Sequence, residues 1–169
     1  MVEQWMAVDE KPEPVTGVRV ERHPAIASAE TGGRYPALLE PQEVHVLGQT
    51  FRLDRLPYLL ALEGDKPLGT VSLALYGDDL VLLGFEGQPG LGLPGLCESV
   101  LVEADRVGRE IGRRRLLAPL TNADPLPLFY LQAEGFSVAE VTTYSGPERR
   151  GIAGIVASHE LLLERAIVE

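Results

Sequence analysis

Three apolar runs joined by two tight turns dominate the middle of this chain: PYLLALEGDKPLGTVSLALYGDDLVLLGFEG, residues 57–87. Tyr58–Leu62, Leu68–Tyr76 and Leu80–Phe85 read as strands. Gly64-Asp65 and Gly77-Asp78-Asp79 carry turn chemistry, because glycine reaches left-handed backbone and aspartate bonds to its own backbone. Connections this short join antiparallel neighbours, since a parallel pair needs a crossover of a dozen or more residues. An antiparallel meander is therefore expected, and successive βαβ units are excluded over this stretch.

The next segment changes period. GQPGLGLPGLCESVLVEA, residues 87–104, is a glycine-rich loop that runs into a helix. Val100, Leu101, Ala104, Val107, Gly108 and Ile111 fall on one face at helical spacing, which predicts a helix over about 95–111. Gly112 is a natural stop. Arg114–Leu120 reads as a buried strand. Asp124-Pro125 is an N-cap followed by a helix-starting proline, opening a helix over Leu126–Glu134 that ends at Gly135. Phe136–Tyr144 is a further strand, and residues 145–157 form a glycine-rich loop with Arg149-Arg150. Ser158–Arg165 reads equally as a strand or a short helix.

Upstream, Gly17–Arg22 alternates like a strand. Residues 1–16 are polar and proline-bearing, and are expected to form a flexible arm before a single domain over 17–169. Residues 23–50 show no strong period and are compatible with short helical pieces.

The net charge of −10 argues against nucleic acid, whose phosphates call for a basic face. It favours a cationic amine over an anionic ligand. No apolar run approaches the roughly 20 residues of a membrane span. The first residues lack the basic and apolar regions of a secretory leader, so a cytoplasmic protein is expected. The single cysteine, Cys97, forms no intrachain disulfide, and no metal-type Cys/His spacing occurs.

Gly90-x-Gly92-x-x-Gly95 spells the dinucleotide fingerprint, but its context disagrees. A Rossmann site needs an acidic residue at the end of the following strand, and Arg114–Leu120 ends without one. A P-loop needs a Gly-Lys-Ser/Thr sequence, which is also missing.

The order of meander, glycine loop, long helix, strand and then TNADPLPLFYLQAEGF resembles the GNAT superfamily of N-acetyltransferases. LPYLLALEGDKPLG at 56–69 and GIVASHELLLER at 154–165 are similar to further stretches of such proteins. The resemblance covers residues 55–144 well and the tail loosely. It implies a GNAT-like α/β fold: one mixed, mostly antiparallel sheet of six or seven strands, with helices on both faces. It implies acetyl-CoA as co-substrate, no metal, and direct acetyl transfer to a small-molecule or peptide amine. Dimers are common in that family, so a homodimer is compatible with it.

The same resemblance assigns roles. Two parallel strands would part beside the long helix, and the pantetheine arm would lie along the strand holding Leu83 and Phe85, whose amides would polarise the acyl carbonyl. The pyrophosphate would sit on the loop and helix start, at Gly90, Gly92, Gly95, Leu96 and Cys97. Asn122 matches an Asn-rich turn able to hold backbone or pantetheine. Tyr130 matches the tyrosine that protonates the leaving thiolate, and Glu86 stands where the amine's base is often found. The plainer reading of Glu86 is a solvated loop-edge carboxylate, and of Arg149-Arg150 a surface loop, with a contact to the CoA ribose phosphate as its alternative. The family's Gln/Arg anchor position falls on Gly92, and Glu98 enters the first helical turn. Both departures support a second reading, a GNAT-fold protein without catalysis that acts as a ligand-binding or dimerisation module.

Overall fold

The computed structural model describes residues 17–24, 43–151 and 153–167. The arm expected over 1–16 lies outside them, as does most of 23–42. Nine strands and two α-helices occur among the described residues. The strands are β1 (Val18–His23), β2 (Glu43–Val46), β3 (Gln49–Arg52), β4 (Tyr58–Glu63), β5 (Lys66–Tyr76), β6 (Asp79–Leu83), β7 (Arg115–Thr121), β8 (Ser137–Thr143) and β9 (His159–Ala166). The helices are α1 (Leu96–Glu110) and α2 (Leu126–Ala133).

The meander is present as expected: β4, β5 and β6 pair antiparallel in sequence. The seven-stranded sheet runs β1-β4-β5-β6-β7-β9-β8, and only β6 and β7 are parallel. They are parallel because α1 carries the chain between them. The stretch left open between strand and helix, 158–165, is the strand β9, which fills the place between β7 and β8.

Alternation along the strands divides the core in two. Leu80, Leu82, Leu116, Ala118 and Leu120 point to one face, where Val100, Leu101 and Ala104 of α1 and Leu131 of α2 cover them. Val81, Leu83 and Leu117 point to the other, where they meet Val44, Val46 and Phe51. The mixed, mostly antiparallel sheet flanked by helices is as expected. Among the described residues both helices cover one face, and the hairpin β2–β3 covers the other. Of the stretch 23–50, expected to hold short helical pieces, 43–50 belong to this hairpin and 25–42 lie outside the described residues. Its turn is Leu47-Gly48, both with positive φ.

The register of β6 and β7 positions the candidate site. Their pairing covers Leu80↔Leu116 and Val81↔Leu117 and then stops. β6 runs on to Leu83 and β7 to Thr121 without pairing to each other, so a V opens between them beside the start of α1. No helix among the described residues is long and apolar enough to cross a membrane.

Candidate functional site

Tyr130 reaches toward the open end of the V from α2. Its ring lies 6.1 Å from that of Phe85, just past the end of β6. Its hydroxyl is buried and has no hydrogen-bond partner among the described residues. Burial raises its pKa well above the ordinary phenol range, and Cys97, Asp124 and Glu86 push the same way. The phenol therefore keeps its proton at neutral pH. A buried hydroxyl without a partner carries a desolvation cost of about 1–3 kcal/mol, which a bound ligand can relieve.

Glu86 closes the far side of the V. Its carboxylate accepts from the backbone N–H of Thr121 and, at 3.1 Å, from Thr121 Oγ1, both at the end of β7. Arg149 Nε donates to its Oε1 at 2.9 Å. The Glu86 side chain is only 8% exposed, which corrects the alternative of a solvated carboxylate. Burial raises its pKa, against the downward pull of the Thr121 amide and the Arg149 guanidinium. Arg149 and Thr121 Oγ1 share Oε1, and Thr121 N takes one side of Oε2, so among the described residues Oε2 keeps a free lone pair. A second carboxylate bridges the V nearby: Asp124 accepts from Gly87 N at 3.0 Å and from Leu126 N at 3.3 Å.

Arg149, read from the sequence as part of a loop, is the ion-pair partner of Glu86. The two help line a narrow pocket with Val44, His45, Phe85 and Thr121. His45 was invisible as a site residue because the hairpin that carries it has no strong period. Its Nδ1 lies 3.1 Å from Thr50 Oγ1 across the hairpin, which orients the ring.

The glycine loop is built differently from a bare cradle. It forms a 3-10 turn over Pro89–Gly92. Gln88 clamps it: Oε1 accepts from Thr70 N at 2.8 Å, while Nε2 donates to Thr70 O and Gly84 O. At Gly90 an added Cβ would lie 2.8 Å from Leu68 O, and at Gly92 2.7 Å from the Tyr130 ring. These two glycines give their space to the protein itself. Gly95, at φ 79°, is the one at the helix start. Leu96 and Cys97 are buried, and burial pushes the Cys97 thiol up to about 12, so it is a packed group and not a nucleophile. Leu83 faces the hairpin and Phe85 the helices. Asn122 Oδ1 accepts from Ser158 N at 2.8 Å and His159 N at 2.9 Å, so it fastens the start of β9.

The fit to acyl-CoA is good at the acyl end, where parted strands meet an unpartnered buried hydroxyl. At the phosphate end the first-turn amides of α1, at Cys97 and Glu98, lack intrahelical acceptors and face the positive end of the helix dipole. Phe85 and Tyr130 come together, with Gly92 against the Tyr130 ring. Gly90 and Asn122 serve the scaffold.

No family model matches the chain, and no curated protein matches it in sequence. Solved structures match it in fold. The IAA acetyltransferase from Bacillus cereus ATCC 14579 superposes with a TM-score of 0.64 at 18% identity, covering 88% of this chain and 99% of that one. Nourseothricin acetyltransferase gives 0.62 at 16% identity, covering 90% and 100%. A Bacillus subtilis acetyltransferase solved in complex with CoA gives 0.60 at 14% identity, covering 89% and 99%. At such identities the likeness is one of fold, and the fold is the GNAT-like one.

Proposed function

We propose that this protein transfers an acetyl group from acetyl-CoA to an amine. The observation that carries the reading is the buried, unpartnered hydroxyl of Tyr130 at the parting of β6 and β7. The fold it shares with known acetyltransferases supports it.

When bound, acetyl-CoA supplies an acyl group activated as a thioester. The backbone beyond Leu83 and the first-turn amides of α1 are the groups that would hold it. Tyr130 keeps a proton on its hydroxyl oxygen and can donate it to a leaving sulfur. Glu86, with a free lone pair on Oε2 and a pKa raised by burial, can take a proton from an incoming ammonium. The Glu86 and Asp124 bridges hold the two arms of the V at a fixed separation.

A second reading, ligand binding or dimerisation without catalysis, is favoured by Gly90 and Gly92, whose space the protein fills itself. Thermal melting with acetyl-CoA separates the two. Ligand bound to the folded state alone raises stability with concentration, by about 2.7 kcal/mol at a hundredfold excess over Kd. A rise with acetyl-CoA, together with CoA release in the presence of an amine panel, is expected. An unchanged melting temperature at millimolar acetyl-CoA would rule out acetyl transfer.

A further inference from the structure

The pocket beside Glu86 also contains a cation with its far end unused. Arg149 sits on the loop between β8 and β9, and that loop is fixed in several places. Arg150 and Val156 form an antiparallel bridge, and Ala157 N donates to Arg149 O at 2.8 Å. Gly151 packs so closely on Ala123 that an added Cβ would lie 1.9 Å from its carbonyl oxygen. Arg149 is thus held on a stiff support, with Nε committed to Glu86. Nη1 and Nη2 donate to no acceptor among the described residues, and the side chain is 34% exposed. A guanidinium in this state presents a flat, two-pronged donor edge at a pocket mouth. That edge matches a carboxylate, which can accept both prongs at once.

The rest of the pocket limits what carries that carboxylate. Its interior has room for little more than a water molecule, which suits an amine head. Beside the Glu86 carboxylate the lining is Val44, Phe85 and Pro119, with the polar side chains of His45, Thr121 and Tyr144. Glu86 and Arg149 touch, so a ligand that meets both must hold its ammonium and carboxylate equally close together. An α-amino acid does so, and an ω-amino acid does not. A zwitterion also carries no net charge to be repelled by a protein at −10.

We propose that Arg149 binds the carboxylate of the acceptor, and that the acceptor class is an α-amino acid whose ammonium faces Glu86. The fate of the amine rests on the acetyl-transfer reading; the binding does not. The bound α-ammonium would surrender one proton to Glu86 Oε2; the neutral nitrogen would then bond to the acetyl carbonyl carbon as the thioester C–S bond breaks, the sulfur taking the Tyr130 hydroxyl proton and the nitrogen's second proton restoring that hydroxyl.

The test is calorimetric titration of the full chain, without acetyl-CoA, with L-leucine, isoamylamine, L-leucine methyl ester and 6-aminohexanoate. L-leucine is expected to bind at least about tenfold tighter than each of the other three, the scale of one charge-assisted hydrogen bond. Arg149→Met should erase that preference. Arg149→Lys, which keeps the charge beside Glu86 and so protects the fold, should lose most of it. Glu86→Gln, which leaves the outer edge of Arg149 in place, should keep the preference for a carboxylate. Equal binding across the panel, no binding of L-leucine, or a preference that survives in both Arg149 variants would overturn the proposal. A melting temperature indifferent to acetyl-CoA, with L-leucine selectivity intact, would remove acetyl transfer and leave the carboxylate site standing.

Discussion

Gly92 lies directly against Tyr130: a Cβ at this glycine would come within 2.7 Å of the ring Cδ2 and 3.1 Å of Cε2. Its φ is not in the left-handed region, so alanine could adopt the backbone, and space alone is at issue. Gly92→Ala must therefore push the ring aside or lift the loop. Overpacking of this kind costs about 1–3 kcal/mol. The variant is expected to melt lower and to lose turnover through displacement of the Tyr130 hydroxyl. A variant that melts like the parent would show that the contact has slack.

Tyr130→Phe should behave in the opposite sense on stability. The hydroxyl is buried without a partner, so its removal relieves a desolvation cost and leaves the ring packed on Phe85. Melting should be unchanged or slightly higher, by up to about 1 kcal/mol. Acetyl-CoA affinity should change little, while turnover falls by about a hundredfold or more, the usual worth of a positioned acid. Unimpaired turnover would take Tyr130 out of the chemistry.

Glu86 makes stability depend on pH with a definite sign. Burial raises its pKa in the folded protein above the ordinary value of 4.5. The folded state then binds the proton more tightly than the unfolded chain. The stability this contributes is fully present below 4.5 and is lost as pH rises through the higher folded value. Glu86→Gln cannot ionise. Its stability relative to the parent should therefore climb as pH rises from about 4.5, read by urea denaturation at a series of pH values. A difference that stays level would mean that the Thr121 and Arg149 contacts cancel the burial cost.

Much of the scaffold was legible because its signals are local. The meander follows from alternating apolar residues and glycine-aspartate turns, and α1 from a helical stripe ending at Gly112. The hairpin β2–β3 was not legible. Its strands are four residues each, and its turn puts Leu47 at φ 56°, where glycine or asparagine is the usual signal. The site was half legible. Tyr130 and Glu86 are named by the resemblance alone. The partnership of Glu86 with Arg149 joins positions 63 residues apart, and no periodicity reports such a contact. The string Gly90-x-Gly92 reads alike whether the freed space serves a phosphate or a neighbouring ring. Only the positions of Leu68 O and Tyr130 distinguish the two.

The heaviest stability loss is expected away from the pocket, at Asp105. Arg165 of β9 donates from Nη2 to Asp105 Oδ2 of α1 at 2.6 Å and from Nη1 to Glu134 O, just after α2, at 3.0 Å. Its guanidinium also lies over the Phe136 ring at 5.3 Å. One side chain thus ties both helices to the sheet. The pair is 15% and 8% exposed, so water cannot replace a lost partner. Asp105→Asn would leave a buried guanidinium without its counter-charge, at a cost of about 3 kcal/mol. The Arg22–Glu110 pair is the control: it joins β1 to α1 with side chains 40% and 57% exposed. Solvent screens that pair, so Glu110→Gln should barely move the unfolding midpoint. Urea denaturation of the two variants side by side tests the ranking. Equal losses would mean that burial does not decide the strength of these ion pairs.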